Sequence, residues 1–173
     1  MKPQAGARGV PPVIRRRAPG AVDALPESLN PVLRRVYAAR GVCDPDQLTL
    51  ELKQLLPVST LDGIGPATEL LADHLLRDSR ILVVGDFDAD GATSTALVLR
   101  QLRRLGHANV DFRVPDRMRH GYGLSPVLVA DLAGERADLL VTVDNGVAAF
   151  AGIDAAQALG MQVLVTDHHL PGP

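Results

Sequence analysis

The sequence contains no tryptophan, and only 3% of it is aromatic, so whatever core it forms must be built from aliphatic side chains. A single cysteine, Cys43, excludes an intrachain disulfide framework and fits a reducing compartment. No apolar run approaches the ~18–20 residues needed to span a bilayer. The opening MKPQAGARGVPPVIRRRAPG lacks the apolar middle region of a secretory signal. A cytoplasmic protein with no membrane contact is therefore expected. Charge of neither sign dominates: 18 Lys and Arg against 20 Asp and Glu give a formal net charge of −2. That balance does not announce nucleic-acid binding, whose usual footprint is basic, but arginines are grouped at 15–17, 34–35, 100–104 and 113–119, so composition neither supports nor excludes a nucleic-acid substrate. What is present, 173 residues with 46% hydrophobic and 22% charged, is enough for one soluble domain with a sizeable core.

The most informative stretch is ILVVGDFDADGATSTALVL, residues 81–99. Its first four residues are a β-branched, apolar run of the kind that suits a strand buried on both faces. After Gly85, carboxylates follow at every second position: Asp86, Asp88 and Asp90. In extended chain, residues two apart project to one side, so this spacing predicts three acidic groups on one edge. Three like charges so close need a counter-cation or protonation. Gly91 permits a turn, and from Ala92 to Leu105 the apolar spacing becomes helical. Two later stretches repeat the design. Asp144 follows the apolar run 139–143, and Asp167, His168 and His169 follow 163–166. In a parallel sheet the carboxyl ends of the strands share one rim, where ligands bind. Three strands thus bring aspartates and histidines to one place.

The rest of the chain frames this unit. Residues 1–28, rich in Pro, Gly, Ala and Arg, read as an extended or disordered lead-in. Residues 29–78 read as a helical region: a helix after Pro31, a short helix capped by Asp44 or Asp46 and reaching Leu55, a turn at Gly63-Ile64-Gly65-Pro66, and a helix striped by Ala67, Leu70, Leu71 and Leu75. From residue 79 strands and helices alternate. Strands are predicted at 81–85, 110–114, 139–143 and 161–166, and helices at 92–105, 126–133 (with Ser125 as N-cap) and 147–159. The fold class is α/β, a mostly parallel sheet with helices on both faces, preceded by a short helical region.

Each cluster has an ordinary explanation when taken alone. An aspartate before a helix is a common cap, Asn145-Gly146 is a common turn, and a lone histidine is more often surface than ligand. Three aspartates at alternate positions exceed what capping needs. A calcium loop of the D-x-D-x-D-G type is excluded because its twelfth position, which must be a bidentate acid, is Leu97. A haloacid-dehalogenase-type phosphatase, with Asp88 as nucleophile and Asp90 as acid, remains an alternative. It leaves Asp167-His168-His169 unexplained. Hard carboxylates with imidazole and no nearby thiolate suit Mn²⁺ or Mg²⁺ better than Zn²⁺.

DFDADGATSTAL, VTVDNG and VTDHH resemble the first three motifs of the DHH phosphoesterase superfamily. PDRMRHGYGLSP, VLRRVYAARGV and the LPGP after the histidines resemble its bacterial single-stranded-DNA exonuclease branch, so that the likeness runs from about residue 12 to the last residue. The resemblance implies metal-dependent 5′-to-3′ hydrolysis of single-stranded DNA in repair and recombination, with two Mn²⁺ or Mg²⁺ ions. A helicase or a single-strand-binding protein is the implied partner. Residue by residue, it makes Asp88 and Asp90 metal ligands, with Asp86 at or beside the site, and places Asp144 between the two metals. His168 becomes a ligand, His169 faces the scissile phosphate, and Asp167 orients the pair. Asp144, His168 and His169 would carry the catalysis, while Arg117, Gly121, Tyr122, Gly123 and His169 would touch substrate. The family's fourth-motif aspartate, its DHH-associated domain and its oligonucleotide-binding domain would lie beyond Pro173. The chain is therefore expected to be a fragment with an incomplete site and very slow activity. Two other readings stay open: a DHH phosphoesterase acting on short oligonucleotides or nucleotides, and a catalytically incomplete nucleic-acid-binding fragment.

Overall fold

The structure, a computed structural model, describes Arg15 and residues 20–171. Most of the expected lead-in, including Arg16 and Arg17, lies outside the described residues. The chain divides into two compact units between Pro57 and Val58. In the first, helix α1 (Pro31–Ala39) is capped by the Asn30 side chain, which accepts the Val32 N–H, and Pro31 occupies the first turn, where its missing N–H costs nothing. Packed chain begins earlier than the predicted residue 29. Gly20 lies so close to the Ala38 carbonyl that a side chain there would collide with it. Leu25 is buried, and its carbonyl accepts a hydrogen bond from Arg34 Nε at 3.0 Å. Asp44 does cap a turn, reciprocated by Gln47. That turn is a 3₁₀ segment ending at Leu48, because Thr49 is already extended. The helix predicted to reach Leu55 is thus replaced by short turns.

The second unit holds the sheet. Helix α2 (Ile64–Leu76) starts one turn earlier than expected. Gly63, at φ +68°, takes a left-handed position that glycine adopts without strain, and Gly65 and Pro66 lie inside the first helical turn rather than in a loop. Leu70, Leu71 and Leu75 of α2 pack against the buried residues of the sheet. The boundary expected at 78/79 therefore falls at 57/58: α2 is part of the sheet's unit because its apolar stripe is covered there.

Four strands, β1 (Ile81–Val84), β2 (Val110–Arg113), β3 (Leu139–Val143) and β4 (Gln162–Thr166), form an all-parallel sheet in the order β2-β1-β3-β4. β1 and β3 are buried throughout, as their unbroken apolar runs require. Helix α3 (Ala89–Arg104) joins β1 to β2 and packs with α2 on one face, against Ile81, Val83, Val141 and Val143. Helices α4 (Pro126–Leu132) and α5 (Phe150–Ala158) cover the other face, against Leu82, Val84 and Leu140. This is the α/β sheet with helices on both faces that the alternation predicted.

The chain leaves β1 towards one edge and later returns to place β3 on its other side. The topological switch point, where a crevice opens at the carboxyl rim, therefore lies between β1 and β3. Edge strand β2 is closed on the α4 side by ions: Glu135 accepts from Arg80 and from Arg113, and Arg113 also pairs with Asp111. No helix among the described residues is long and apolar enough to cross a membrane.

Candidate metal centre

The crevice between β1 and β3 receives the acidic residues. Asp86, two residues beyond β1, is 3% exposed and accepts the Phe87 N–H at 2.7 Å. Asp88 is the N-cap of α3, its Oδ1 accepting the Gly91 N–H at 3.0 Å. Because Asp88 caps it, the helix begins at Ala89 rather than at 92. Extended alternation therefore ends at Asp88, and Asp90 stands in the first helical turn instead of on a common edge. Asp144 follows β3 directly, is 7% exposed, and adopts φ +61°, a left-handed conformation that aspartate tolerates better than most residues.

Ligand atoms fall into two trios. One oxygen each of Asp86, Asp88 and Asp144 lie within 4.8 Å of one another, as do ligand atoms of Asp144, His168 and His169. Asp144 belongs to both. Its Oδ1 stands 2.8 Å from His168 Nε2. Among the described residues no lysine or arginine pairs with Asp86, Asp88 or Asp144; Asp86 and Asp144 are buried, and Asp88 stands exposed beside them. A donor set of hard carboxylate oxygens with imidazole, two of its aspartates buried and its histidines open to solvent, fits a divalent ion of the Mn²⁺ or Mg²⁺ kind. Asp90 is in neither trio. It lines a cavity of about 310 Å³ that also contains Asp144, Asp167 and His168.

The histidines are held from behind. Asp167 accepts the N–H groups of Val147, His168 and His169 and contacts His169 Nδ1 at 2.7 Å. Burial pushes the Asp167 carboxyl up, but these four hydrogen bonds together hold it below the usual carboxylate range. The Asp167 hydrogen bond, helped by the neighbouring carboxylates, raises His169 above the ordinary histidine value. The Val147 N–H bond also ties up the chain after Gly146, so that α5 starts at Phe150 rather than at the predicted 147.

Gly121, Tyr122 and Gly123 pass over the same crevice. The Tyr122 hydroxyl donates to the Asp144 carbonyl at 3.2 Å and lies 3.5 Å from His169 Nδ1. Desolvation, then the charges of Asp86, Asp167, Asp144 and Asp88, raise the Tyr122 phenol above its usual value and keep it a donor. Arg117, whose ordinary reading is a solvated charge, stacks over the Phe87 ring at 4.9 Å from its centroid. Arg119 and His120 are instead tied to Asp131.

Two residues escape a reading of the sequence. Phe87 would be assigned to the core on hydrophobicity, yet it is 38% exposed and meets Tyr122 edge-to-face at 6.5 Å. Its position between two crevice aspartates in a chain so short of aromatics was the available signal. Asn145, which reads as a turn residue, is fully buried.

The DHH family, N-terminal domain, matches residues 80–173. The chain is 49% identical over 159 residues to the single-stranded-DNA-specific exonuclease RecJ of Escherichia coli (strain K12), covering 92% of this chain and 28% of that protein. It is 35% identical over 164 residues to the protein of the same name from Thermus thermophilus, covering 94% of this chain and 23% of the other. A crystal structure of exonuclease RecJ bound to manganese aligns at TM-score 0.62 and 40% identity, covering 69% of this chain and 30% of that one. The crystal structure of RecJ from Thermus thermophilus in complex with Mn²⁺ aligns at TM-score 0.58 and 35% identity, covering 79% and 18%. The chain thus spans about a quarter of the length of the curated relatives it matches. With a matching motif at the end of three of its four parallel strands, the chain belongs to the DHH family.

Proposed function

We propose that this segment carries the metal-dependent centre of an exonuclease that hydrolyses single-stranded DNA from the 5′ end in repair and recombination. The observation that carries the reading is the sharing of Asp144 by two ligand trios at the switch point. Asp86, Asp88 and Asp144 would hold one divalent ion, and Asp144 and His168 the other. Asp90, on the wall of the adjoining cavity with Asp144 and His168, would serve the same centre. When bound, such ions supply Lewis-acid polarisation of a phosphoryl oxygen and a nucleophilic water near neutral pH. His169, its Nδ1 held by Asp167, would face the scissile phosphate and offer Nε2–H as a hydrogen-bond donor to a phosphate oxygen. Asp167 orients both histidines through their N–H groups.

The substrate side supports a single strand rather than a duplex. Arg117, Phe87 and Tyr122 make a stacked cation–aromatic surface beside the aspartates, and each base stacked on such a surface contributes about 1–3 kcal/mol. Gly121 and Gly123, both at positive φ, let the backbone carry Tyr122 close to the phosphate path. Relatives named for single-stranded DNA fit this surface. A cytoplasmic setting, with a helicase or single-strand-binding protein as partner, completes the proposal. The test is single-turnover cleavage with the chain in excess over 5′-labelled oligonucleotide in Mn²⁺. Mononucleotide released from the 5′ end of single strands, lost in His168→Ala, supports the proposal. Phosphate released from mononucleotides with strands left intact refutes it in favour of a nucleotide phosphatase.

A further inference from the structure

Asn145 has no part in either ligand trio, yet it is the point where the two halves of the centre meet. Its side chain is fully buried, and Nδ2 donates to the Val84 carbonyl at 3.1 Å and to the Val143 carbonyl at 2.9 Å. Val84 is the last residue of β1, and Val143 the last of β3. In the β1–β3 register Val84 pairs with Thr142, and beyond that rung the two chains diverge into their acidic loops. One amide therefore spans the two strand ends at the point where the ladder stops. Asp86 lies two residues past one anchored carbonyl, and Asp144 one residue past the other. On its opposite side Asn145 is pressed against the substrate segment: a Cβ on Gly123 would sit 3.2 Å from Asn145 Oδ1. Oδ1 itself has no hydrogen-bond partner, so the residue is held by its two donors and by packing.

The geometry points to Asn145 as a positioning residue that sets the separation of Asp86 and Asp88 from Asp144, and hence whether Asp144 can serve two ions at once. This rests on the metal centre proposed above. The chemistry is specific. Only a primary amide on a short stem offers two N–H groups to two carbonyls. Aspartate is nearly isosteric but turns an acceptor oxygen towards both, and alanine leaves two buried carbonyls unpaired.

A residue that merely stabilised the fold would change melting temperature without changing the metal affinity of the folded protein. The experiment therefore measures both in Asn145→Asp, Asn145→Ala and Leu132→Ala, titrating Mn²⁺ with detection of the free ion by electron paramagnetic resonance. Leu132 is a buried core residue at the C-terminal end of α4, away from the carboxyl rim. All three variants are expected to melt lower, while only the Asn145 variants lose Mn²⁺ affinity, by tenfold or more. Mn²⁺ affinity within twofold of the parent in folded Asn145→Asp or Asn145→Ala overturns the inference while leaving the metal centre standing. Absence of Mn²⁺ binding by the parent overturns the metal centre, and this inference with it. Should neither Asn145 variant fold, Gly123→Ala displaces the same side chain by a few tenths of an ångström, and unchanged affinity there overturns the inference.

Discussion

Gly91→Ala tests how tightly α3 is locked to the acidic loop. A methyl group at residue 91 would lie 2.5 Å from Asp86 N and 2.6 Å from both Asp86 Cα and Cβ, where ordinary contact is 3.4–4 Å. The nearest atoms are backbone, so either the first turn of α3 or the loop at 85–88 must move by about 1 Å, and overpacking of this kind costs about 1–3 kcal/mol. The movement also breaks the cap between Asp88 Oδ1 and the Gly91 N–H, worth about 1 kcal/mol. Against this, replacing glycine by alanine inside a helix returns up to about 1 kcal/mol. Steric cost wins, with a net loss of about 1–3 kcal/mol, a large share of the roughly 5–15 kcal/mol that holds a domain together. The control is Gly134→Ala, in the short 3₁₀ turn after α4, where nothing lies within 4 Å and φ is not positive. Only the propensity gain applies there, so that variant should be slightly stabilised. Urea unfolding with and without Mn²⁺ measures both. Because Gly91→Ala displaces Asp86 and Asp88, two of the proposed metal ligands, it should also show a smaller stabilisation by Mn²⁺. Gly91→Ala unfolding within about 0.5 kcal/mol of the parent, the usual scatter for a harmless surface change, with undiminished Mn²⁺ stabilisation, would refute the reasoning.

Gly152→Ala should be more damaging still, since its Cβ would stand 1.8 Å from the Leu124 carbonyl oxygen; recovery of soluble protein with a parental melting temperature would contradict the packing of α5 against that chain. The Glu135 carboxyl is held below its ordinary value of 4.5, by Arg113 first and then Arg80, so its contribution is complete above the ordinary value and is lost as pH falls through the lowered one. Glu135→Gln should thus be destabilised by about 1 kcal/mol near neutrality, with the gap from the parent closing in acid; a gap independent of pH in thermal melts would count against the ion pairs. In Asp167→Asn the carboxylate that favours the His169 imidazolium is gone, so the His169 pKa should fall back towards its ordinary 6.5, and an unmoved NMR titration would show that another group sets it.

Much of this arrangement was legible in the sequence because burial and periodicity are local properties. The apolar runs at 81–84 and 139–143 are buried on both faces and could only be inner parallel strands, which put Asp86 and Asp144 at one rim. Ser125-Pro126 marked the start of α4 to the residue. Less legible was whatever depends on a side chain choosing between two local roles. Asp88 reads as part of an extended alternation, but its cap on Gly91 starts the helix early and rotates Asp90 out of line. Gly65-Pro66 reads as a turn, but the left-handed Gly63 just before it lets both enter a helix. Phe87, Phe112, Tyr122 and Phe150, several of which would be placed in the core on hydrophobicity, are all exposed, since aliphatic residues of the strands and helices already fill both faces of the sheet. Asn145 was hidden because its partners, Val84 O and Val143 O, are backbone atoms that only the β1–β3 pairing brings together.

The central claim, that Asp144 is shared by two ions, is tested most directly by counting them. Calorimetric titration of the parent with Mn²⁺ should find two sites per chain. Asp88→Ala removes a ligand from one trio only and should leave a single site, held by Asp144 and His168. Asp144→Ala removes the carboxylate common to both and should abolish both sites together. Two Mn²⁺ ions still bound by Asp144→Ala, or a single site lost there while the other keeps its parental affinity, would contradict the account.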